Sequence, residues 1–289
     1  MPSLSTGLRA SFLGRVAREY PIAAFVIGAV VWTWGYGSIA IIYFDTPVLI
    51  VEIARIPAIW GPLLAAGAVI WLNEGNLSAW LGQVTNWNVS PYWYGVAFGL
   101  PIVFTELSSL IALLTGVPIE YGGLQPPWLY IGGFLLIFLT MGALEEFGWR
   151  GFAQPIIQER YTAVHASLFI GFVWAVWHYY LFALDMPFYS DVNIVFYTIR
   201  ATTVSFIYAW VYNGTGGSVL IAMIFHATGN LAALFQPAGD IPGWLDLLGV
   251  YPLLIIVQVP IAVGLALVYG PKYLAGSSPN VSPATLLGR

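Results

Sequence analysis

Cysteine is absent from the 289 residues, lysine occurs once, and charge of either sign is scarce, with 9 Lys+Arg against 13 Asp+Glu. The missing thiols exclude a disulfide framework, thiolate metal sites and a cysteine nucleophile. Charged residues make up 8% of the chain, where a soluble domain carries about 25%. So few charges cannot cover a soluble surface, and large exposed apolar patches would drive association. The nine cations are scattered and form no footprint for nucleic acid. Disorder needs low hydrophobicity, whereas hydrophobic residues reach 59% and the mean hydropathy is +0.82. These values describe an all-α, polytopic transmembrane bundle.

Crossing about 30 Å of hydrocarbon takes roughly 20 apolar residues in a helix. Runs of that kind recur at Pro21–Phe44, Ile56–Leu72, Tyr92–Thr115, Trp128–Leu144, Ala163–Leu184, Val192–Tyr212, Ser218–Phe235 and Trp244–Tyr269. The sequence therefore predicts about eight spans, the second short enough to be strongly tilted or re-entrant. The first run is too long and wrongly flanked for a cleaved signal, and no A-x-A-like site follows it. Arg9, Arg15 and Arg18 precede it and place the N-terminus in the cytoplasm. Alternation then puts Arg150, Arg160, Lys272 and Arg289 on the same side, leaving Arg55 opposite with Asp45, Glu52, Asp185, Asp191 and Asp240. Both termini are expected in the cytoplasm. The eightfold excess of Arg over Lys points to a GC-rich prokaryotic genome, hence a prokaryotic plasma membrane.

Between spans, Leu77–Trp87 sets Leu77, Trp80, Leu81 and Val84 at helical spacing, with Asn and Gln on the other face. Phe152–Tyr161 has a similar pattern, and both segments read as interfacial helices. Trp71, Trp87, Tyr92, Trp93, Trp128, Tyr130 and Trp244 cluster near span ends, as an aromatic belt requires. The chain divides into a basic N-terminal segment (1–20), a membrane domain (21–270) and a tail (271–289) expected to be flexible.

An ionisable residue inside a span is costly and marks function by default. Three clusters stand out, each with i, i+4 spacing. In Glu145-Glu146-Phe147-Gly148-Trp149-Arg150, Glu146 and Arg150 share a helix face with the acid N-terminal, the better order for an ion pair. Glu145 points about 100° away, so one carboxylate is held while its neighbour stays available for chemistry. A charged helix end at the interface is the plainer alternative. Trp174-Ala175-Val176-Trp177-His178 carries a histidine deep in the fifth run, and His226-Ala227-Thr228-Gly229-Asn230 pairs His226 with Asn230 in the seventh. Packing and interhelical hydrogen bonding are their plainer readings. At 1.5 Å per residue, His226 lies roughly 12 Å and His178 about 20 Å from the cytoplasmic ends of their spans. Glu145 meets them if its segment dips into the bilayer, which Gly148 and Gly151 permit. Such a set can activate water and stabilise an oxyanion.

E-E-F-G-W-R, W-x-x-x-H and H-x-x-x-N, in that order on successive late spans, resemble the CPBP intramembrane proteases, the CAAX-protease or Abi family typified by Rce1-like prenyl-protein endopeptidases. The resemblance covers about residues 128–235. One departure is Trp174, where the family usually has Phe. The resemblance implies a glutamate-type peptide-bond hydrolase. Glu145 with His178 would activate water, His226 and Asn230 would bind the oxyanion, and Glu146, Arg150 and Trp174 would support the site. Two glutamates and two histidines could instead hold zinc. The H-E-x-x-H spacing is absent, which favours metal-independent water activation and no cofactor. Expected partners are membrane lipids and a hydrophobic or lipidated peptide, prenylated or otherwise apolar.

Two further charges, Glu106 and Arg200, fall at similar depth, roughly 9–12 Å from the outer surface at 1.5 Å per residue. They are expected to clamp two spans as an ion pair, the alternative being that one faces the catalytic cavity. Rival functions are a non-proteolytic scaffold or immunity protein with this fold, and a proton-coupled transporter. Filled motif positions argue against the first. The absence of internal repeats argues against the second.

Overall fold

The computed structural model describes residues 4–43, 48–116, 126–184, 186, 189, 192–234 and 250–289. It is built from helices, with no strand among the described residues. The principal ones are α1 (Pro21–Tyr43), α2 (Val48–Ile59), α3 (Gly61–Leu72), α4 (Pro91–Leu114), α5 (Pro127–Thr140), α6 (Ala163–Ala183), α7 (Ile194–Gly214), α8 (Val219–Leu234) and α9 (Val250–Tyr269). Among the described residues six helical stretches are long and apolar enough to cross a membrane, and Gly61–Leu72 and Val219–Ala233 are shorter apolar helices. Large apolar side chains such as Ile27, Val31, Ile39, Leu110, Leu135 and Val263 are exposed around the bundle. Lipid, which needs no polar partner, is the solvent that accepts them. The protein is an integral membrane protein.

The short second run is a broken helix. Pro62 lacks the N–H that would bond the Ala58 carbonyl four residues back, and Thr33 of α1 donates its hydroxyl there instead at 2.7 Å. The Trp32 indole caps the Pro57 carbonyl in the same way at 2.7 Å. Back along α1, Gly28 approaches Ala65, and in the short helix before α1 the Ala17 carbonyl accepts from the Asn73 side-chain amide at 3.0 Å. α2 and α3 thus run antiparallel to α1 along its length.

Segments that eight alternating crossings place on one side do meet at one end. Arg9 pairs with Glu74 at 3.2 Å, Asn86 donates to the Thr215 carbonyl, and the backbone of Ala163 bonds that of Lys272. The charges assigned to the other side fall outside this picture: Asp45, Asp185, Asp191 and Asp240, and the side chains of Glu52 and Arg55, lie outside the described residues. So do Phe44, Phe235 and Trp244–Gly249 at the edges of the expected spans. Trp87, Tyr92 and Trp128 of the expected belt are exposed.

Three local expectations are corrected. Leu77–Trp87 forms a helix (Leu77–Gly82) and a 3-10 turn (Gln83–Thr85), but Trp80 and Gln83 are buried and Leu81 is exposed. Polar Gln83 turns inward because it has partners there, described below. Phe152–Tyr161 likewise packs on protein along its first half: Phe152, Ala153, Gln154 and Ile156 are buried, and helix from α5 resumes through Gln158. The tail is packed rather than loose. Leu274, Leu286 and Leu287 are buried, Asn280 bonds Gly216, and Thr285 bonds Asn76. Docking of these leucines and carbonyls offsets the ordering entropy of a segment whose composition suggested none.

Candidate active site

α5 stops at Thr140, where the Trp60 indole donates to the Thr140 carbonyl at 3.0 Å and Met141 leaves helical geometry. A 3-10 turn, Gly142–Glu145, follows, then one α-helical turn (Glu146–Gly148), a π-helical turn (Trp149–Ala153) and a last helical piece (Gln154–Gln158). Pro155 has no N–H for the Gly151 carbonyl. Gln83 supplies the missing donor at 2.8 Å, and Trp80 donates to the Phe147 carbonyl at 3.0 Å. Tyr212 in turn donates to Gln83 at 2.8 Å. The irregular turn is therefore stitched to the protein at its unpaired carbonyls. Gly148 fits because Pro62 lies where a side chain would begin.

This turn carries the paired glutamates, and it separates them. Glu146 and Arg150 are fully buried, and Glu145 is 3% exposed, so the charged run is interior rather than a helix end at the interface. Arg150 Nη1 lies 3.1 Å from Glu146 Oε2, and His226 Nδ1 meets Glu146 Oε1 at 2.6 Å. Arg150 also donates to Ser205 at 3.2 Å and lies 4.0 Å over the Tyr208 ring. Glu145 is held differently: the Trp174 indole N–H donates to its Oε2 at 2.7 Å and the Trp149 indole at 3.4 Å.

Glu145, Trp174, His178, His226 and Asn230 all line one cavity of about 470 Å³. His178 Nδ1 meets the Trp174 carbonyl at 2.8 Å; since a carbonyl only accepts, Nδ1 carries the proton and Nε2 is the basic nitrogen of the neutral ring. The His178 ring packs edge-on to Trp177 at 4.6 Å. On α8, His226 and Asn230 face Gly142. A Cβ on Gly142 would lie 2.5 Å from His226 Nε2 and 2.7 Å from Asn230 Nδ2. The two nitrogens converge on space that only glycine leaves open.

All seven residues expected at the site are thus in one neighbourhood, five lining the cavity and Glu146 with Arg150 behind it. Trp149, Ser205, Tyr208 and Gly142 belong to the same constellation and were not singled out. Trp149 stands one turn from Glu145 in the E-E-F-G-W-R run, the one available signal. Arg200 lines the cavity too, whereas Glu106 lies on an exposed face of α4. The expected cavity-facing position is the one Arg200 occupies, and this leaves the expected pairing with Glu106 untested. Among the described residues no group of three or more His, Asp or Glu side chains is arranged for a metal ion.

Residues 126–232 match the profile of a family described as Type II CAAX prenyl endopeptidase Rce1-like. A protein named CAAX prenyl protease 2 from Methanococcus maripaludis is 24% identical over 230 residues, covering 73% of this chain and 82% of the relative. The matched profile spans every motif residue from Glu145 to Asn230, and together the two likenesses support the Rce1-like CPBP family.

Proposed function

We propose that this chain is an intramembrane endopeptidase that cleaves a prenylated, CAAX-type or otherwise hydrophobic peptide with a water molecule activated by Glu145 and His178. The observation that carries the reading is the convergence of Glu145, His178, His226 and Asn230 on one cavity. Two indoles fix one oxygen of Glu145, and the second oxygen takes the proton of the attacking water. Hydroxide adds to the scissile carbonyl carbon, with His178 Nε2 orienting it. Negative charge then develops on the carbonyl oxygen. Asn230 Nδ2 and His226 Nε2 donate to it over Gly142, in a water-poor site where such donors act most strongly. Glu146, at His226 Nδ1, holds the ring with Nε2 turned toward that oxygen. Collapse breaks the C–N bond, and the leaving amine takes the proton held by Glu145.

No metal or cofactor enters this scheme, and both termini face the cytoplasm of a prokaryotic cell. Purified protein should cleave a prenylated C-terminal peptide, and Glu145→Gln should abolish cleavage with a melting temperature near wild type. Unaltered cleavage by Glu145→Gln would overturn the mechanism. Loss of wild-type activity in 1,10-phenanthroline, restored by zinc, would replace the metal-free scheme.

A further inference from the structure

The N-terminal and C-terminal segments meet at one end of the bundle, away from the proposed chemistry. Before α1 lies a short helix, Phe12–Glu19, capped by Ser11, whose hydroxyl accepts from the Gly14 N–H. At about 100° per residue its side chains fall into three sectors. Gly14 and Ala17 are buried against the protein. Gly14 has the Arg9 carbonyl where a side chain would begin, and the Ala17 carbonyl accepts from Asn73. Phe12 and Leu13, 70% and 63% exposed, form an apolar sector, about 120° round the helix from that face. Arg15 and Arg18, also exposed, point in a third direction, roughly 140° from the apolar sector.

α1 begins at Pro21, directly after this helix and Tyr20, and exposes Ile27 and Val31 to lipid. The short helix therefore sits at the membrane surface, its apolar sector toward acyl chains and its basic sector toward headgroups. The tail enlarges the basic sector. The Arg289 backbone N–H donates to the Ala284 carbonyl at 2.9 Å, and its Nη2 donates to the Arg18 carbonyl at 3.4 Å. Buried Leu286 and Leu287 anchor that stretch. Arg15, Arg18 and Arg289 thus form one patch, and among the described residues no carboxylate pairs with them. Glu74 is taken by Arg9 at 3.2 Å, and Glu19, one turn past Arg15, forms no ion pair there. Gathering like charges costs free energy that an anion among them recovers.

We propose that Arg15, Arg18 and Arg289 bind the phosphate headgroup of an anionic phospholipid whose acyl chains pack on Phe12 and Leu13. Planar guanidinium donors suit phosphate oxygens, and the adjoining apolar sector selects a phosphate that carries hydrocarbon. The bound lipid clasps the first helices of the chain to its tail, beside Asn73 and Glu74 at the end of α3. This site goes beyond the proposed reaction and does not depend on it.

The test titrates the purified protein, in uncharged detergent micelles, with phosphatidylglycerol or phosphatidylcholine and follows the melting temperature. Phosphatidylglycerol should raise it and phosphatidylcholine should not, and the effect should shrink as salt is raised. Arg15→Gln, Arg18→Gln and Arg289→Gln should each weaken the apparent affinity for phosphatidylglycerol by roughly fivefold. Phe12→Ser should weaken it with every charge in place. Glycerophosphate, which has the phosphate and no acyl chains, should give no shift. Equal stabilisation by the two lipids would overturn the site, as would an undiminished phosphatidylglycerol effect after all three arginines are replaced. A glycerophosphate shift matching that of phosphatidylglycerol would overturn it in favour of a soluble anion.

Discussion

The Trp174 indole N–H donates to Oε2 of Glu145 at 2.7 Å. Phenylalanine, the usual residue of the family at this place, fills similar space but has no donor. Trp174→Phe should keep the fold and leave Glu145 with the longer 3.4 Å bond from Trp149 alone. A hydrogen bond to a charged group contributes about 1.5–3 kcal/mol. The proposed role of Glu145 then implies a fall in kcat of roughly tenfold or more. Steady-state kinetics on a prenylated peptide, with melting curves as control, checks this; wild-type kcat would reduce Trp174 to a space-filler.

Gly142 leaves room before His226 Nε2 and Asn230 Nδ2. Gly142→Ala should place a methyl group where the substrate oxygen is proposed to sit. Losing one oxyanion-hole donor costs about 100-fold or more in kcat, and the methyl obstructs two. The expected result is a folded, inactive protein. Activity within a few-fold of wild type would mean that the oxyanion binds elsewhere.

Breaking the interior ion pair should be a stability event. Glu146 and Arg150 are fully buried, and their charges meet at 3.1 Å. Arg150→Met leaves Glu146 with His226 alone, and removing one partner of a buried pair costs about 3–5 kcal/mol. Adding Glu146→Leu should recover part of that loss by removing the stranded carboxylate. Denaturation in detergent measures both; an additive double variant would show that the pair is not coupled.

The C-terminal residues should resist carboxypeptidase in the folded protein. Buried Leu274, Leu286 and Leu287 anchor them, and Asn213 binds the Tyr273 carbonyl at 2.6 Å. Truncation after Gly270 should lower the melting temperature, since burying each leucine contributes about 1.5–3 kcal/mol. Rapid trimming of the intact protein without loss of stability would contradict the packed arrangement.

Much of this architecture was legible in the sequence because lipid imposes strict requirements. Every long uncharged run became a helix or part of one. The i, i+4 spacing of Glu146 and Arg150 was enough to anticipate their pairing, and it freed Glu145 for the cavity. Other features depend on contacts that periodicity cannot carry. Leu77–Trp87 and Phe152–Tyr161 have the pattern of helices on a membrane surface, but a protein surface buries the same stripe, and Gln83 reveals the difference only through Gly151 and Tyr212. The tail's leucines are too sparse to register as a buried segment. Sequence depth alone did not say that Arg200 would line the cavity, because depth says nothing of azimuth.

Pro155 withdraws a backbone donor beneath the paired glutamates, and Gln83 returns it from the connector that precedes α4. The turn that carries the glutamates is in this sense spliced: its hydrogen bonding is completed by a distant stretch of chain rather than by its own helix. Loosening that splice, for instance with Gln83→Leu, would leave the Gly151 carbonyl without its donor and weaken the support beneath Glu145. A defect in turnover could thus originate in a residue that never meets substrate.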